Sequence, residues 1–80
     1  METDLERETA KQLEKLEDEV SHIEAPSDKK VKNEIINIKA YISDCRHFLE
    51  NGDLMRAFEA IVFAWGIYET LLSLGAVAGK

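Results

Sequence analysis

The sequence predicts an all-α protein, an up-down-up three-helix bundle that forms one domain over residues 1–80. Apolar residues recur at steps of three and four in three separate segments, and this is the spacing of one face of a helix. Pro26 and Gly52 separate the segments, and both residue types commonly end helices. The composition, with 45% hydrophobic and 32% charged residues, is typical of a globular protein with one small core.

The first helix is predicted over residues 4–24. Its apolar stripe consists of Leu13, Leu16, Val20 and Ile23. This stripe is only about 80° wide, so the helix is expected to lie along a groove formed by the other two. Thr3 or Asp4 is expected to cap its first turn.

The second helix is predicted over residues 28–51, with Ser27 as its N-cap. Its stripe steps by four and three through Val31, Ile35, Ile38, Ile42, Cys45 and Leu49. Tyr41 and Phe48 widen the stripe to about 140°, which suits a helix packed against two neighbours. Gly52 can adopt the left-handed conformation that ends a helix. Because the connection is so short, the second and third helices are expected to be antiparallel neighbours.

The third helix is predicted over residues 53–74, and residues 75–80 are expected to form a flexible tail. Its predicted core face comprises Leu54, Ala57, Phe58, Ile61, Ala64, Trp65, Tyr68, Leu71 and Leu72. A second apolar line lies outside this face and comprises Ala60, Phe63, Ile67 and Leu74. Met55 and Val62 lie on the far side. The helix is therefore apolar nearly all round, which exceeds the share that a three-helix bundle normally buries.

Three hypotheses account for this apolar excess. The helix could be central, with long side chains of its neighbours covering it. It could present a partner-binding surface, most simply a twofold homodimer through Phe63, Ile67 and Leu74, with Arg56 and Glu59 at the rim. It could instead span a membrane, but Glu69 is costly in lipid, and the aromatic residues fall in the middle of the span. A membrane location is therefore not expected.

The net charge of −6 disfavours nucleic-acid binding, because phosphate backbones repel an acidic protein. The acidity is concentrated in the first segment, whereas the only basic cluster, Lys29, Lys30 and Lys32, lies beside a turn. No apolar run follows Met1, so no secretory leader is predicted and a cytoplasmic location is expected.

No catalytic, cofactor-binding or metal-binding residues are predicted. Asp44 and His47 lie one turn apart and could supply two ligands, but a structural zinc site needs about four. Cys45 and His47 point in nearly opposite directions on a helix, so they cannot form a thiolate–imidazole pair. The single cysteine also excludes an intramolecular disulfide. The chain is therefore not expected to be an enzyme.

Several short stretches of the chain carry a resemblance to a known family. They are Tyr41–Asp44, Phe48–Asp53 and Arg56–Gly66, continued by Tyr68-Glu69 and Leu74-Gly75. On these stretches the chain resembles the archaeal family called domain of unknown function 357, densely from Tyr41 onward and more loosely in the acidic first helix. The resemblance implies a compact three-helix bundle in an archaeal cytoplasm and implies no activity. It also implies that such domains can occur beside nucleotidyltransferase-like domains.

The sequence leaves two functional hypotheses of different classes. The first is an accessory module that binds a protein partner or a second copy of itself through the third helix. The second is a small-molecule binding domain, in one form nucleotide-related or accessory to a nucleotidyltransferase-like enzyme. Its site would gather Tyr41, Asp44, Trp65, Tyr68 and Glu69 near one end of the second and third helices.

Overall fold

A computed structural model describes residues 3–24 and 26–78, and it confirms the all-α fold class. The helices are α1 (Asp4–Ser21), α2 (Lys29–Glu50) and α3 (Leu54–Ser73). They run up, down and up in a bundle that measures 44 × 19 × 17 Å. Helices α2 and α3 share the largest interface, and α1 packs against both of them.

Each helix begins at a side-chain cap, and the three N-cap residues are Thr3, Asp28 and Asp53. At the start of α2, the Asp28 carboxylate accepts hydrogen bonds from the backbone amides of Lys30 and Val31 at 2.8 and 3.1 Å. The prediction that Ser27 caps this helix was wrong. A carboxylate that accepts from two otherwise unpaired amides and lies at the positive end of the helix dipole is the stronger cap.

The connection between α2 and α3 is a Schellman turn that requires a glycine. Gly52 has a φ angle of +75°, in the left-handed region predicted for it. The amide of Asp53 donates to the carbonyl of Phe48 at 2.9 Å, and that of Gly52 donates to the carbonyl of Leu49 at 3.1 Å. Asp53 then caps α3 directly, so only three residues separate the two antiparallel helices.

The end of α3 repeats this geometry at Gly75, whose φ angle is +70°. The amides of Gly75 and Ala76 donate to the carbonyls of Leu72 and Leu71 at 3.0 and 2.9 Å. Ala76 and Val77 are half-buried and pack against the core. A flexible tail was predicted over residues 75–80. Within the described part of that tail, 75–78, the chain turns back and packs against the core through Ala76 and Val77, and residues 79–80 lie outside the described residues.

Helix α1 ends at Ser21, three residues before its predicted end. The Ser21 hydroxyl and the His22 ring nitrogen Nδ1 both bond the carbonyl oxygen of Asp18, at 2.6 and 2.7 Å. The backbone amide of His22 donates instead to the carbonyl of Glu19, three residues earlier, so the last turn is tighter than an α-helical turn. Ile23 leaves the helix and packs against the core. The other helix ends agree with the prediction to within one residue.

The core is built from large side chains of all three helices, and α3 also contributes three alanines. The buried apolar residues of α1 and α2 are Leu13, Leu16, Val20, Ile35, Ile38, Ile42 and Cys45. Those of α3 are Ala57, Ala60, Ile61, Ala64, Tyr68 and Leu71. Three of these six are alanines, and we call Ala57, Ala60 and Ala64 the alanine seam. Small residues at a helix interface let two helices approach closely.

Two predictions about the core face of α3 were wrong. Ala60 was expected outside it but is buried, whereas Phe58 was expected inside it and is 38% exposed. Both differences correspond to one rotation of the helix about its axis. The rotation packs the alanine seam inward and turns the larger Phe58 side chain toward solvent.

Polar contacts hold α1 in place on both of its neighbours. On one side, Arg46 of α2 forms an ion pair with Glu17. On the other, the hydroxyl of the buried Tyr68 donates to the Glu19 carboxylate at 2.9 Å. Burial, and then this hydrogen bond, raise the pKa of Tyr68 above its ordinary value. The narrow apolar stripe of α1 is thus supplemented by charge-assisted contacts at its edges.

The two glycines Gly52 and Gly66 should respond oppositely to substitution by alanine. Gly66 lies inside α3, and a Cβ atom added there meets no atom within 4 Å. Gly66→Ala should therefore raise the free energy of unfolding by about 1 kcal/mol through helix propensity alone. Gly52→Ala should lower it by about 1 kcal/mol, because alanine is strained at positive φ. Urea unfolding of both variants measures the difference, and equal changes would contradict this assignment of the two backbones.

Candidate functional site

The outward side of α3 is an exposed apolar surface. Its large apolar members are Met55, Phe58, Val62 and Phe63, which are 72%, 38%, 47% and 50% exposed. The exposed residues Glu59, Gly66, Glu69 and Thr70 complete the surface, which we call the outer face. Single exposed apolar residues are ordinary, but a continuous group on one helix marks a candidate binding surface.

The outer face follows from how α3 is oriented in the bundle. The alanine seam faces the other helices together with Ile61, Tyr68 and Leu71, and Met55 and Val62 lie on the opposite side of the same helix. Val62 and Gly66 are one turn apart near the middle of this side. The exposed glycine leaves the backbone uncovered there, since no atom outside the helix lies within 4 Å of a Cβ position.

Two open grooves flank the middle of the outer face and share Val62 and Gly66. The groove toward α2, with a volume of about 660 Å³, is also lined by Glu34, Phe63, Ile67, Thr70, Leu71 and Leu74. The groove toward α1, with a volume of about 540 Å³, is also lined by Glu8, Gln12, Phe58, Ile61, Trp65 and Glu69. The outer face is therefore a ridge between two shallow apolar depressions.

The five predicted contact residues differ in how exposed they are: four are exposed and one is half-buried. Phe63 is 50% exposed, and Leu74, the C-cap of α3, is 75% exposed. Glu59 is exposed, and the exposed Arg56 pairs with Asp53 at 3.5 Å.

Ile67, also predicted as a contact, is half-buried and packs against the core. It lines the groove between α3 and α2 together with Glu34 of α2. Met55 and Val62 were not among the predicted contact residues, yet both belong to the outer face. Their helical positions, opposite the alanine seam, were the signal that could have identified them.

The aromatic residues of the small-molecule hypothesis are not brought together. Tyr41 contacts Phe63, with ring centroids 5.7 Å apart, on the α2 side of α3. Trp65 contacts Tyr68 at 5.9 Å on the α1 side, and its Nε1 donates to the carbonyl of Gln12 at 3.3 Å. Trp65 and Tyr68 therefore contact each other, but Tyr41 contacts a different side of α3, so the three aromatic residues do not form one site.

Both grooves carry an acidic margin. Carboxylates line each of them, namely Glu34 in one and both Glu8 and Glu69 in the other, and no lysine or arginine is among their lining residues. Lys15 of α1 lies over the ring of Trp65, with its Nζ 5.8 Å from the ring centroid. The outer face therefore combines apolar side chains with negative charge.

Three of the five lysine and arginine side chains of α2 lie on the edge of that helix that faces α1. Lys32 and Lys39 line a groove between α1 and α2, and Arg46 pairs with Glu17 of α1. The acidic α1 thus meets the basic edge of α2. No lysine or arginine is among the lining residues of the two grooves beside the outer face, although Lys15 of α1 lies over the ring of Trp65.

The structure gives no support for metal or nucleophile chemistry in the described part of the chain. Residues 3–24 and 26–78 contain no group of three or more His, Cys, Asp or Glu side chains placed to hold a metal ion. Burial raises the pKa of the Cys45 thiol to about 11, so the reactive thiolate is suppressed. Within the same ranges, no helix combines the length and the apolar character that crossing a bilayer requires.

Comparisons with known proteins identify a family and a similar structure. Residues 5–78 match the family model DUF357, described as a protein of unknown function. The crystal structure of protein AF1782 from Archaeoglobus fulgidus, which matches the same family model, is similar to this chain with a TM-score of 0.83. The two sequences are 45% identical, over 96% of this chain and 95% of that one. A search of curated proteins found no significant match.

The buried thiol provides a test of the core packing behind the outer face. Because its pKa is about 11, the thiolate fraction of Cys45 at pH 8 is about 100-fold below that of an ordinary thiol. Modification by a disulfide reagent at pH 8 should therefore be about tenfold or more slower in the folded protein than in urea, because the greater nucleophilicity of a high-pKa thiolate offsets part of the difference in thiolate fraction. The rate should rise with pH up to about 11. Equal rates in the folded and unfolded protein would contradict the buried position.

Proposed function

The chain belongs to the DUF357 family of proteins of unknown function, and we propose that it acts as a protein-interaction module through the outer face of α3. The observation that carries the proposal is the group of large apolar side chains that α3 leaves in solvent around Val62. Covering such a surface releases water and stabilises a complex by roughly 25 cal/mol per Å² before the costs of association.

Gly66 supports the proposal independently of the exposed apolar side chains. A glycine inside a helix costs about 1 kcal/mol relative to alanine. No contact within the described chain requires it, since the space beside it is open. A partner backbone that approaches α3 at this point would use that space.

The helix that carries the outer face is rigidly held. Its two ends are fixed by the Asp53 cap and the Gly75 turn, and its inner side packs through the alanine seam. A preformed surface loses little conformational entropy when it binds. The partner is either a second copy of the chain, as the sequence analysis predicts, or a different protein.

Substitutions on the outer face should weaken association while the fold is retained. We expect Val62→Glu to change the free energy of unfolding by less than about 0.5 kcal/mol, because the side chain is half in solvent. Phe63→Glu should lower it by about 1 kcal/mol, because the Phe63 ring also contacts Tyr41. If the partner is a second copy, sedimentation velocity should show a dimer for the parent chain and a monomer for both variants.

Ile36→Glu provides the matched control. Ile36 is 62% exposed and lies on α2, away from the outer face, so the oligomeric state should not change. A parent chain that stays monomeric at high micromolar concentration would rule out the homodimer. If Val62→Glu and Phe63→Glu destabilised the fold by several kcal/mol, as a charge in the core does, the outer face would not be a surface and the whole proposal would fail.

A further inference from the structure

The charge around the outer face identifies the kind of partner that it fits. Glu8 and Glu69 line the groove toward α1, Glu34 lines the groove toward α2, and Glu59 lies between them on α3. A partner that covers the apolar side chains must also approach these four carboxylates. Basic side chains at its margins would therefore be complementary.

A second copy of the chain fits this surface poorly. In a twofold interface the same surface patch is present on both subunits, so the carboxylates of one copy would approach those of the other. No lysine or arginine lines either groove to compensate them. Arg56 lies at the first turn of α3 and is already paired with Asp53. Like charges at an interface are unfavourable, so the surface selects against its own copy.

The shape of the surface favours a helix as the partner. Val62 and Gly66 form a ridge between two grooves that run beside α3, and a partner helix lays rows of side chains into such grooves. At Gly66 the absence of a side chain lets the partner backbone approach closely.

We propose that the outer face binds a basic amphipathic helix of another protein. The apolar side chains of that helix cover Val62, Phe58 and Phe63, and its lysine or arginine side chains pair with Glu8, Glu34 and Glu69. This inference rests on the proposed function, because it names the partner of the same surface. Anionic membranes and nucleic acids are excluded as partners of this surface by the same carboxylates.

Three synthetic helices that differ only in charge test the proposal. Each is an 18-residue peptide with leucine at one set of helical positions (roughly i, i+3, i+4 and i+7) and with lysine, glutamine or glutamate at all the others. Titration calorimetry gives the affinity for the complete chain. The fluorescence of Trp65, the only tryptophan of the chain, reports binding locally because its side chain lines the groove toward α1.

The lysine peptide should bind at least tenfold more tightly than the glutamine peptide, and the glutamate peptide should not bind. Glu8→Gln and Glu69→Gln should each weaken the lysine peptide about threefold at low salt, as expected for exposed ion pairs. Glu14→Gln is the matched control, because it removes the same charge from an exposed position of α1 that lines neither groove, and it should have no effect. Val62→Ser should abolish binding, whereas Ile36→Ser should not.

Four outcomes would overturn the inference, and the first two would leave the proposed function standing. If the lysine and glutamine peptides bound equally and Val62→Ser abolished both, the basic-helix inference would be overturned while the proposed function remained. A dimer of the parent chain that Val62→Ser dissociates would have the same consequence. If no peptide bound, or if Glu14→Gln weakened binding as much as Glu69→Gln, the inference would also be overturned.

Discussion

The alanine seam is the constraint on which the rest of the structure depends. Ala57, Ala60 and Ala64 occupy the side of α3 that faces the bundle, and all three are buried. Because these side chains are small, α3 lies close to its neighbours, and larger residues of all three helices fill the rest of the core, including Ile61, Tyr68 and Leu71 of α3 itself. Met55, Val62 and Phe63 lie on the other sides of α3 and remain in solvent. The same packing thus builds the core and exposes the outer face.

Electrostatics assign separate roles to the three helices. Helix α1 carries seven of the sixteen acidic residues, and two of them are engaged at its interfaces, Glu17 by Arg46 of α2 and Glu19 by the Tyr68 hydroxyl. The carboxylates that border α3 have no such compensation among the lining residues of the two grooves. The Glu17 carboxylate is thus paired where α1 and α2 meet, whereas Glu8, Glu34 and Glu69 line open grooves that have no lysine or arginine among their lining residues. This division gives the outer face its expected selectivity for basic partners.

Much of the fold could be predicted from the sequence because helix periodicity and caps are local signals. The stripes of α1 and α2 and the left-handed Gly52 were predicted correctly. The orientation of α3 was predicted only in part, with five of its six buried apolar residues on the predicted core face, because a helix that is apolar nearly all round gives a weak periodic signal for its inner side. Phe58 and Ala60 were exchanged for that reason, and Met55 and Val62 were omitted from the predicted contact residues. The acidic margins of the grooves depend on Glu8 and Glu34, which reach α3 only through tertiary packing.

The orientation of α3 can be measured directly by the access of water to its methyl groups. A soluble gadolinium chelate enhances the relaxation of methyl protons that lie near solvent, and the experiment should be performed at a dilution at which the chain is monomeric. We expect strong enhancement for Met55 and Val62 and protection for Ala57, Ala60 and Ala64. Protection of Val62 equal to that of Ala64, or full access to the three alanines, would contradict the packing described here.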